Sequence, residues 1–233
     1  MMRALAFPVR QEELMDDPGL DPAVYATVLN DLARVNRWTL AARPTLSFLR
    51  RALKGRRQLR LLDVGFGQGD MLRTIARWAR RRGIEARLVG VDLNPMSEPA
   101  ARAATDPVLG IRFHTGDYAD HLHEDHDVII SSLVAHHMSE AQLRAFLVAM
   151  EKHSRIGWLI NDLHRHPLAY GLFPLLARML RTHPIVRHDG QVSIARSFRP
   201  DEWSAQVAAA ALDPASVRIT RIFPFRLCVD HIH

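Results

Sequence analysis

The chain has 233 residues, enough for one α/β domain with a short extension, and its 48% hydrophobic and 24% charged residues are typical of a globular protein. The formal net charge is +6, and the single cysteine, Cys228, excludes an intrachain disulfide and favours a reducing, cytoplasmic location. No apolar run reaches the roughly 20 residues of a transmembrane helix, and the first residues lack the apolar stretch of a signal peptide.

The first part of the chain is predicted to form a helical cap over residues 1–57. Asp21 followed by Pro22 is typical of a helix start, and apolar residues then recur at helical spacing as far as Val35. Pro44 interrupts the pattern before it resumes. We therefore expect helices here, as an extension ahead of the main domain.

Residues 58–233 are predicted to form the main domain, because strand and helix patterns alternate along them. The segments with the composition of strands span residues 60–64, 86–93, 111–114, 127–132, 156–161, 217–222 and 225–229. Helices are predicted over residues 71–81, after a Ser139–Gln142 capping box, and over residues 200–212. Such alternation indicates an α/β fold with a doubly wound, Rossmann-like, mostly parallel sheet of seven strands.

One apolar segment departs from this alternation. Between Pro167 and Arg181 the apolar residues cover most of a helical circumference, and Pro174 is expected to kink or split any helix there. Residues 165–195 are therefore predicted to be an inserted lid over a substrate site. Packing against the N-terminal helices is the alternative interpretation.

The strongest functional signal is a glycine-rich turn between a buried strand and a helix. Gly65, Gly67 and Gly69 can adopt positive φ and let a ligand approach the backbone closely. Their spacing, G-x-G-x-G, differs from the G-x-G-x-x-G of dinucleotide-binding folds. Carboxylates also flank the turn, and Asp63 is the first of them. Carboxylates repel a pyrophosphate but suit a ligand that carries ammonium and sulfonium charges.

Polar residues also follow the next two predicted strands. Asp92 ends the second strand, where a carboxylate can accept hydrogen bonds from both hydroxyls of a ribose, and Leu93 follows it. Asp117 and Tyr118 come after the third strand. There Asp117 could accept a hydrogen bond from an adenine amino group, with Tyr118 beside the ring.

These motifs, in this order and at this spacing, resemble the class I S-adenosylmethionine-dependent methyltransferases from Leu61 to the C-terminus. The resemblance implies that S-adenosylmethionine is the cofactor and that its methyl group moves to an acceptor. It also implies that the backbone after the fourth strand passes the cofactor. The cofactor-binding residues implied in this way are Asp63, Gly65, Phe66, Gly67, Gly69, Asp92, Leu93, Asp117, Tyr118, Ser132 and Leu133.

Shorter motifs resemble a narrower group, the bacterial small-molecule methyltransferases found with type III polyketide synthases. They are ELMDD at 13–17, LARVNR at 32–37, NDLHR at 161–165 and RHDG at 187–190. This resemblance implies a small hydrophobic acceptor, phenolic or quinone-like, that is methylated on oxygen. Carbon methylation in quinone or isoprenoid biosynthesis and methylation of RNA are the alternatives.

Histidines after the fourth and fifth strands are candidates for the base that removes the acceptor's proton, since imidazole titrates near neutral pH. Adjacent residues at a helix start do not face the same way, so His137 rather than His136 is predicted to face the site. His164 is the second candidate. Asp162 could orient an imidazole or cap the following helix. No clean ligand spacing is present, so no metal site is predicted.

The positive charge is carried almost entirely by arginine, which raises the alternative of a nucleic-acid partner. The run between Arg73 and Arg87 is interpreted as the solvated face of a helix. Aromatic residues make up 7% of the chain, too few to favour a stacking platform, so no nucleic-acid partner is expected. The oligomeric state stays open, with a homodimer as one option.

Overall fold

The architecture is a seven-stranded sheet with helices on both faces. A computed structural model describes residues 5–233, so the first residues of the predicted 1–57 cap lie outside the described residues. The strands β1–β7 are Gln58–Val64, Glu85–Asp92, Arg112–Thr115, His126–Ser132, Ser154–Leu163, Arg218–Ile222 and Arg226–Ile232. The helices α1–α8 are Pro22–Trp38, Ala42–Leu53, Asp70–Arg81, Ser97–Ala103, Glu140–His153, Pro167–Met179, Pro184–Arg196 and Pro200–Ala209. None of these described helices has the length and apolarity needed to cross a membrane.

The strand order is β3-β2-β1-β4-β5-β7-β6. Strands β1 to β5 are parallel, whereas β7 is antiparallel to both β5 and β6. This arrangement confirms the predicted doubly wound, mostly parallel fold. Because the chain moves outward in opposite directions from β1 and β4, a crevice opens beyond the carboxyl ends of these two strands.

Two apolar layers hold the helices against the sheet. On one face Phe48 of α2 and Leu72 of α3 pack against β1. On the other face Phe146 of α5 and Trp203 of α8 fill the second layer. Strand β4 is buried along nearly its whole length, which is consistent with the apolar residues 128–130 at its centre. The central strands therefore give their carboxyl ends a rigid base.

The two N-terminal helices differ in position. Asp21 caps α1 by accepting hydrogen bonds from the backbone N–H groups of Ala23 and Val24, as the Asp-Pro pair predicts. Helix α2, in contrast, packs into the main core through Phe48 and Leu49. The predicted cap is therefore not one packing unit, because the apolar face of α2 is part of the layer that covers the sheet.

The predicted lid, residues 165–195, consists of α6 and α7. Helix α6 continues through Pro174 as one helix, so the expected split does not occur. Helix α7 approaches α6 closely at Gly190, where a Cβ would lie 2.0 Å from the Phe173 ring. Val186 of α7 also packs against Val28 of α1. The segment thus packs against the N-terminal helix, as the alternative interpretation expects.

Candidate active site

The turn between β1 and α3 has the backbone conformation that its glycines allow. Gly65, Gly67 and Gly69 have φ values of 77°, 53° and 75°. A Cβ at Gly65 would lie 2.2 Å from Val134, and one at Gly69 would lie 2.7 Å from the Phe113 ring. Glycine is therefore required at both positions, and the turn presents bare backbone to the cavity that it lines.

Asp63, at the end of β1, is a buried carboxylate beside this turn. It is 1% exposed, and neither of its oxygens has a hydrogen-bond partner among residues 5–233. Burial raises the pKa of Asp63 well above its usual range, and the negative charges of Asp70 and Asp92 raise it further. Because an unpartnered buried carboxylate is costly, its place in the cavity wall indicates a site for a cationic hydrogen-bond donor.

Asp92, at the end of β2, fixes the glycine turn. Its Oδ2 accepts a hydrogen bond from Gly67 N at 2.8 Å, and its Oδ1 accepts one from Asn94 N at 2.9 Å. Burial raises the pKa of Asp92, and these backbone hydrogen bonds counteract only part of the rise. Each oxygen keeps a second lone pair for a ligand hydroxyl, and the exposed Leu93 follows directly.

The ends of β3 and β4 complete this side of the cavity. Asp117 caps a 3₁₀ turn by accepting a hydrogen bond from Ala119 N at 2.9 Å, and the Tyr118 ring packs 4.9 Å from that of Phe146. After β4, Leu133 has a φ of 63°, which is unusual for leucine. Its backbone N–H donates to Asn161 O at 3.2 Å, which holds the loop close to β5.

Two predicted cofactor contacts also have packing roles. Phe66 is buried, and its ring lies 4.9 Å from the ring of Phe113. The hydroxyl of Ser132 donates to Asn161 O at 3.3 Å. Both residues line the cavity, where a ligand can contact them. The ring contact of Phe66 and the hydrogen bond of Ser132 also hold these residues in place.

All these residues border one cavity of about 690 Å³ at the carboxyl edge of the sheet. Its polar wall consists of the glycine turn and the strand ends. Its opposite wall is apolar and comes from α1, α6 and α7. The residues of this apolar wall include Val28, Leu32, Leu172, Phe173, Leu176 and Val186. Such a cavity can hold a polar cofactor beside a hydrophobic ligand.

His136 lies in the cavity wall and is held by Asp162. Its Nδ1 lies 2.7 Å from Asp162 Oδ1, and its backbone N–H donates to Asp162 Oδ2 at 3.0 Å. Burial lowers the pKa of His136, but the carboxylates of Asp162 and Glu13 outweigh burial and raise it to about 9. His136 is therefore an imidazolium at neutral pH. Of the two roles considered for Asp162, it therefore has the first, the orientation of an imidazole. The following helix is capped by His166 instead.

The expectation that His136 and His137 face apart is wrong. Both line the cavity, with ring centroids 4.3 Å apart. The two histidines share one carboxylate as a neighbour, because Nε2 of each histidine lies 3.6 Å from Glu13 Oε1. Nδ1 of His137 lies 3.3 Å from Asp16, and its side chain is 29% exposed.

His164, the second candidate base, does not line this cavity. Its ring lies 5.4 Å from that of His166, and its backbone N–H donates to Phe225 O. Burial is the largest of the effects that lower the pKa of His164 to about 4, and nearby positive charges add to it. The structure therefore brings His137, but not His164, to the predicted site.

Glu13 is a site residue that the sequence alone does not single out. Besides the two histidines, Ser193 contacts it by donating a hydrogen bond at 2.7 Å. Burial raises the pKa of Glu13, but the hydrogen bond to His136 and the charges of both histidines lower it overall. The ligating atoms of Glu13, His136 and His137 lie within 4.8 Å of one another, close enough to share a metal ion. Glu13 belongs to the ELMDD motif, but the sequence does not indicate the contacts of Glu13, because its partners are distant along the chain.

The segment that carries Glu13 is fastened to α7. Both oxygens of Asp189 accept backbone hydrogen bonds at 2.9 Å, one from Leu14 and one from Met15. Asp189 is buried. The N-terminal segment is thus held across the cavity, where it covers the histidine pair.

Arg226, at the start of β7, is a second residue that the sequence does not single out. It is buried in the cavity wall, and its Nη1 has no hydrogen-bond partner within the described part of the chain. Its Nη2 donates to Asn36 at 3.2 Å, and Asn36 in turn contacts Asp70 at 3.4 Å. A buried cation therefore reaches the cavity beside α3.

Residues 61–157 match the family described as a methyltransferase domain. Human N-acetylserotonin methyltransferase, solved with S-adenosylmethionine, shares this fold with a TM-score of 0.63 and 12% identity. The alignment covers 91% of this chain and 56% of that one, so this chain spans little more than half of that protein.

The family match is thus confined to residues 61–157, and the chain shares the fold of methyltransferases that were solved with S-adenosylmethionine or S-adenosylhomocysteine. The plantazolicin methyltransferase BpumL, solved with S-adenosylhomocysteine, is similar with a TM-score of 0.64 and 14% identity over 90% of this chain and 95% of that one. Magnesium protoporphyrin IX methyltransferase from Synechocystis PCC 6803 is similar with a TM-score of 0.56 and 13% identity over 94% and 91%. No curated protein matches the chain significantly.

The residues that line the cavity fit S-adenosylmethionine. The unpartnered carboxylate of Asp63 can accept hydrogen bonds from the ammonium group, and the free lone pairs of Asp92 can accept from the ribose hydroxyls. Leu93 and Tyr118 offer apolar surface for the adenine ring. The individual residue roles stay predictions, and the unpartnered Asp63 is the observation that favours a cationic ligand most strongly.

Proposed function

We propose that the methyltransferase domain transfers the methyl group of S-adenosylmethionine to a phenolic or quinol oxygen of a small hydrophobic, polyketide-type acceptor. The apolar wall of the cavity carries this proposal, because it lines the same cavity as the glycine turn and the histidine pair. An aromatic acceptor gains from contact with Leu172, Phe173 and Leu176.

We assign to His137 the role of the base that removes the proton of the acceptor hydroxyl. When bound, S-adenosylmethionine would supply a methyl carbon activated by a sulfonium. Transfer of this methyl group to the acceptor oxygen would leave S-adenosylhomocysteine, and the hydroxyl proton would pass to a base. His136, with a pKa of about 9, is already protonated and suits the negative charge that develops on the oxygen. Nδ1 of His137 lies 3.3 Å from Asp16, whereas its Nε2 lies 3.6 Å from Glu13, beyond hydrogen-bond distance, and is the nitrogen that we propose takes the proton.

A His137→Ala variant should lower kcat by about 10²- to 10⁴-fold, the range expected when a general base is removed. Turnover of alkylated phenols and quinols, followed by mass spectrometry, measures this loss. The matched control is His164→Ala, which lies outside the cavity and should keep its activity. Full turnover by His137→Ala would make the base assignment wrong. Loss of turnover with a chelator, restored by a divalent metal, would instead indicate a metal at Glu13, His136 and His137.

An Asp92→Ala variant should bind S-adenosylhomocysteine about 10- to 100-fold more weakly, because two charge-assisted hydrogen bonds to the ribose are lost. Titration calorimetry measures the affinity, with NAD as the control ligand. Asp92→Asn keeps one acceptor oxygen and should give an intermediate value. Binding of NAD in place of S-adenosylhomocysteine would contradict the cofactor assignment.

The product distinguishes oxygen from carbon methylation. An O-methyl group and a ring methyl group give separate proton NMR signals. We expect an O-methyl ether. A ring methyl group would show that the acceptor atom is carbon and not oxygen.

A further inference from the structure

The outer face of α6 carries an apolar stripe. It consists of Leu168, Leu172, Leu175 and Met179, which are 59%, 52%, 59% and 65% exposed. Their spacing places all four on one side of the helix. Single exposed apolar residues are common on protein surfaces, but a continuous row along one helix indicates a surface that contacts another apolar phase.

Positive charge accompanies this α6 stripe. Residues 163–188 contain no aspartate or glutamate, while Arg178 and Arg181 are exposed at the C-terminal end of α6. Arg34 of α1 reaches the same end and donates a hydrogen bond to Leu180 O at 2.8 Å. Asp31 pairs with Arg34 and is the acidic group that faces this end. The two arginines of α6 and its following turn therefore keep their charge available.

Exposed aromatic rings lie near the stripe. Phe223 is exposed two residues before Phe225, whose ring stacks at 5.1 Å on His166, the N-cap of α6. Trp38 is exposed one helical turn beyond Arg34 on α1. Aromatic rings of this kind are favoured at the boundary between lipid and water.

The α6 stripe also borders the cavity. Leu172 is exposed and lines the cavity at the same time, and Phe173 and Leu176 on the inner side of α6 belong to the apolar wall. One helix thus connects the exposed apolar row with the acceptor side of the site.

We propose that the α6 stripe, with Arg178 and Arg181, binds the surface of a lipid bilayer that contains anionic lipids. The apolar side chains enter the headgroup region, and the arginines pair with lipid phosphates. A second copy of this chain fits less well, because a symmetric contact would bring the same unpaired arginines together. An acceptor dissolved in the bilayer would enter the cavity past Leu172, and this last step rests on the proposed function.

Sedimentation of the full chain with lipid vesicles tests the proposal. Vesicles of phosphatidylcholine with phosphatidylglycerol should bind the protein at low salt and release it at high salt, and vesicles of phosphatidylcholine alone should bind it weakly. The triple variant Leu168→Gln, Leu175→Gln, Met179→Gln should reduce binding at least about tenfold, and Arg178→Gln with Arg181→Gln should reduce it as well. None of these residues lines the cavity, so binding of S-adenosylhomocysteine should be unchanged.

The matched control is Val108→Gln, an exposed apolar residue in the turn before β3, which should bind vesicles like the wild type. Absence of vesicle binding at low salt, or equal binding by the triple variant, would overturn the proposal. So would a dimer that the triple variant converts to a monomer, because a second copy would then cover the stripe. Vesicle binding by a protein that methylates no phenol would contradict the proposed function alone.

Discussion

A His136→Ala variant is expected to lose about 3–5 kcal/mol of unfolding free energy, the usual result of removing one partner of a buried ion pair. Asp162 is fully buried and would lose the imidazole that lies 2.7 Å from its carboxylate. Glu13, also buried, would lose one of its partners and keep His137 and Ser193. Urea unfolding followed by circular dichroism measures the loss. His137→Ala is the matched control and should change stability much less, because its ring is partly exposed.

The same pair predicts how stability depends on pH. The folded-state pKa of His136 is about 9, above the ordinary value of 6.5, so its stabilising contribution is complete below pH 6.5 and disappears as the pH rises through 9. The wild-type unfolding free energy should therefore fall across this window. His136→Ala should show a flatter dependence than the wild type. Equal slopes for the wild type and His136→Ala would mean that His136 is not an imidazolium.

An Asp63→Asn variant is expected to gain stability and to lose cofactor affinity. The charge of Asp63 is buried without a hydrogen-bond partner in the described chain, so removing it should raise the unfolding free energy by about 1–3 kcal/mol. Affinity for S-adenosylmethionine should fall at least about tenfold, because the charged acceptor for the ammonium group is gone. Thermal unfolding and titration calorimetry on the same preparation measure both effects.

The pH dependence gives the sign of the Asp63 effect. Its pKa is raised in the folded state, so ionisation destabilises the fold as the pH rises above the ordinary value of 3.8. The gain from Asp63→Asn should therefore be larger at neutral pH than in acid. Asp125→Asn changes an exposed carboxylate that does not line the cavity, so it serves as the control and should change neither property strongly. A stability loss together with unchanged affinity would exclude Asp63 from the cofactor site.

The fold could be predicted from the sequence because its signals are local. The buried strands β1 and β4 contain short apolar runs at residues 61–62 and 128–130, and the glycines at 65, 67 and 69 mark a turn that only positive φ permits. Helix boundaries were less exact: the helix predicted over residues 200–212 ends at Ala209. The continuity of α6 through Pro174 also went against the local rule, and the inner face of α6 packs through Phe173 against α1 and α7.

The site was only partly predictable because its remaining contacts join distant parts of the chain. Glu13 meets His136 and His137 only when the N-terminal segment is fastened to Asp189. This shared carboxylate turns both rings to one side, which a rule about adjacent residues could not foresee. Arg226 was one arginine among many, and its role depends on the burial that β7 imposes.

The position of β7 has a consequence for synthesis on the ribosome. Strand β6 precedes β7 along the chain, yet in the described structure β6 pairs only with β7, which lies between it and β5. A nascent chain that has emerged only as far as β6 therefore leaves the edge of β5 open and lacks Arg226 in the cavity. An open, apolar strand edge is a template for pairing with other chains. Chaperone capture during translation should therefore peak just before residues 226–232 emerge, and cofactor binding should begin only after them.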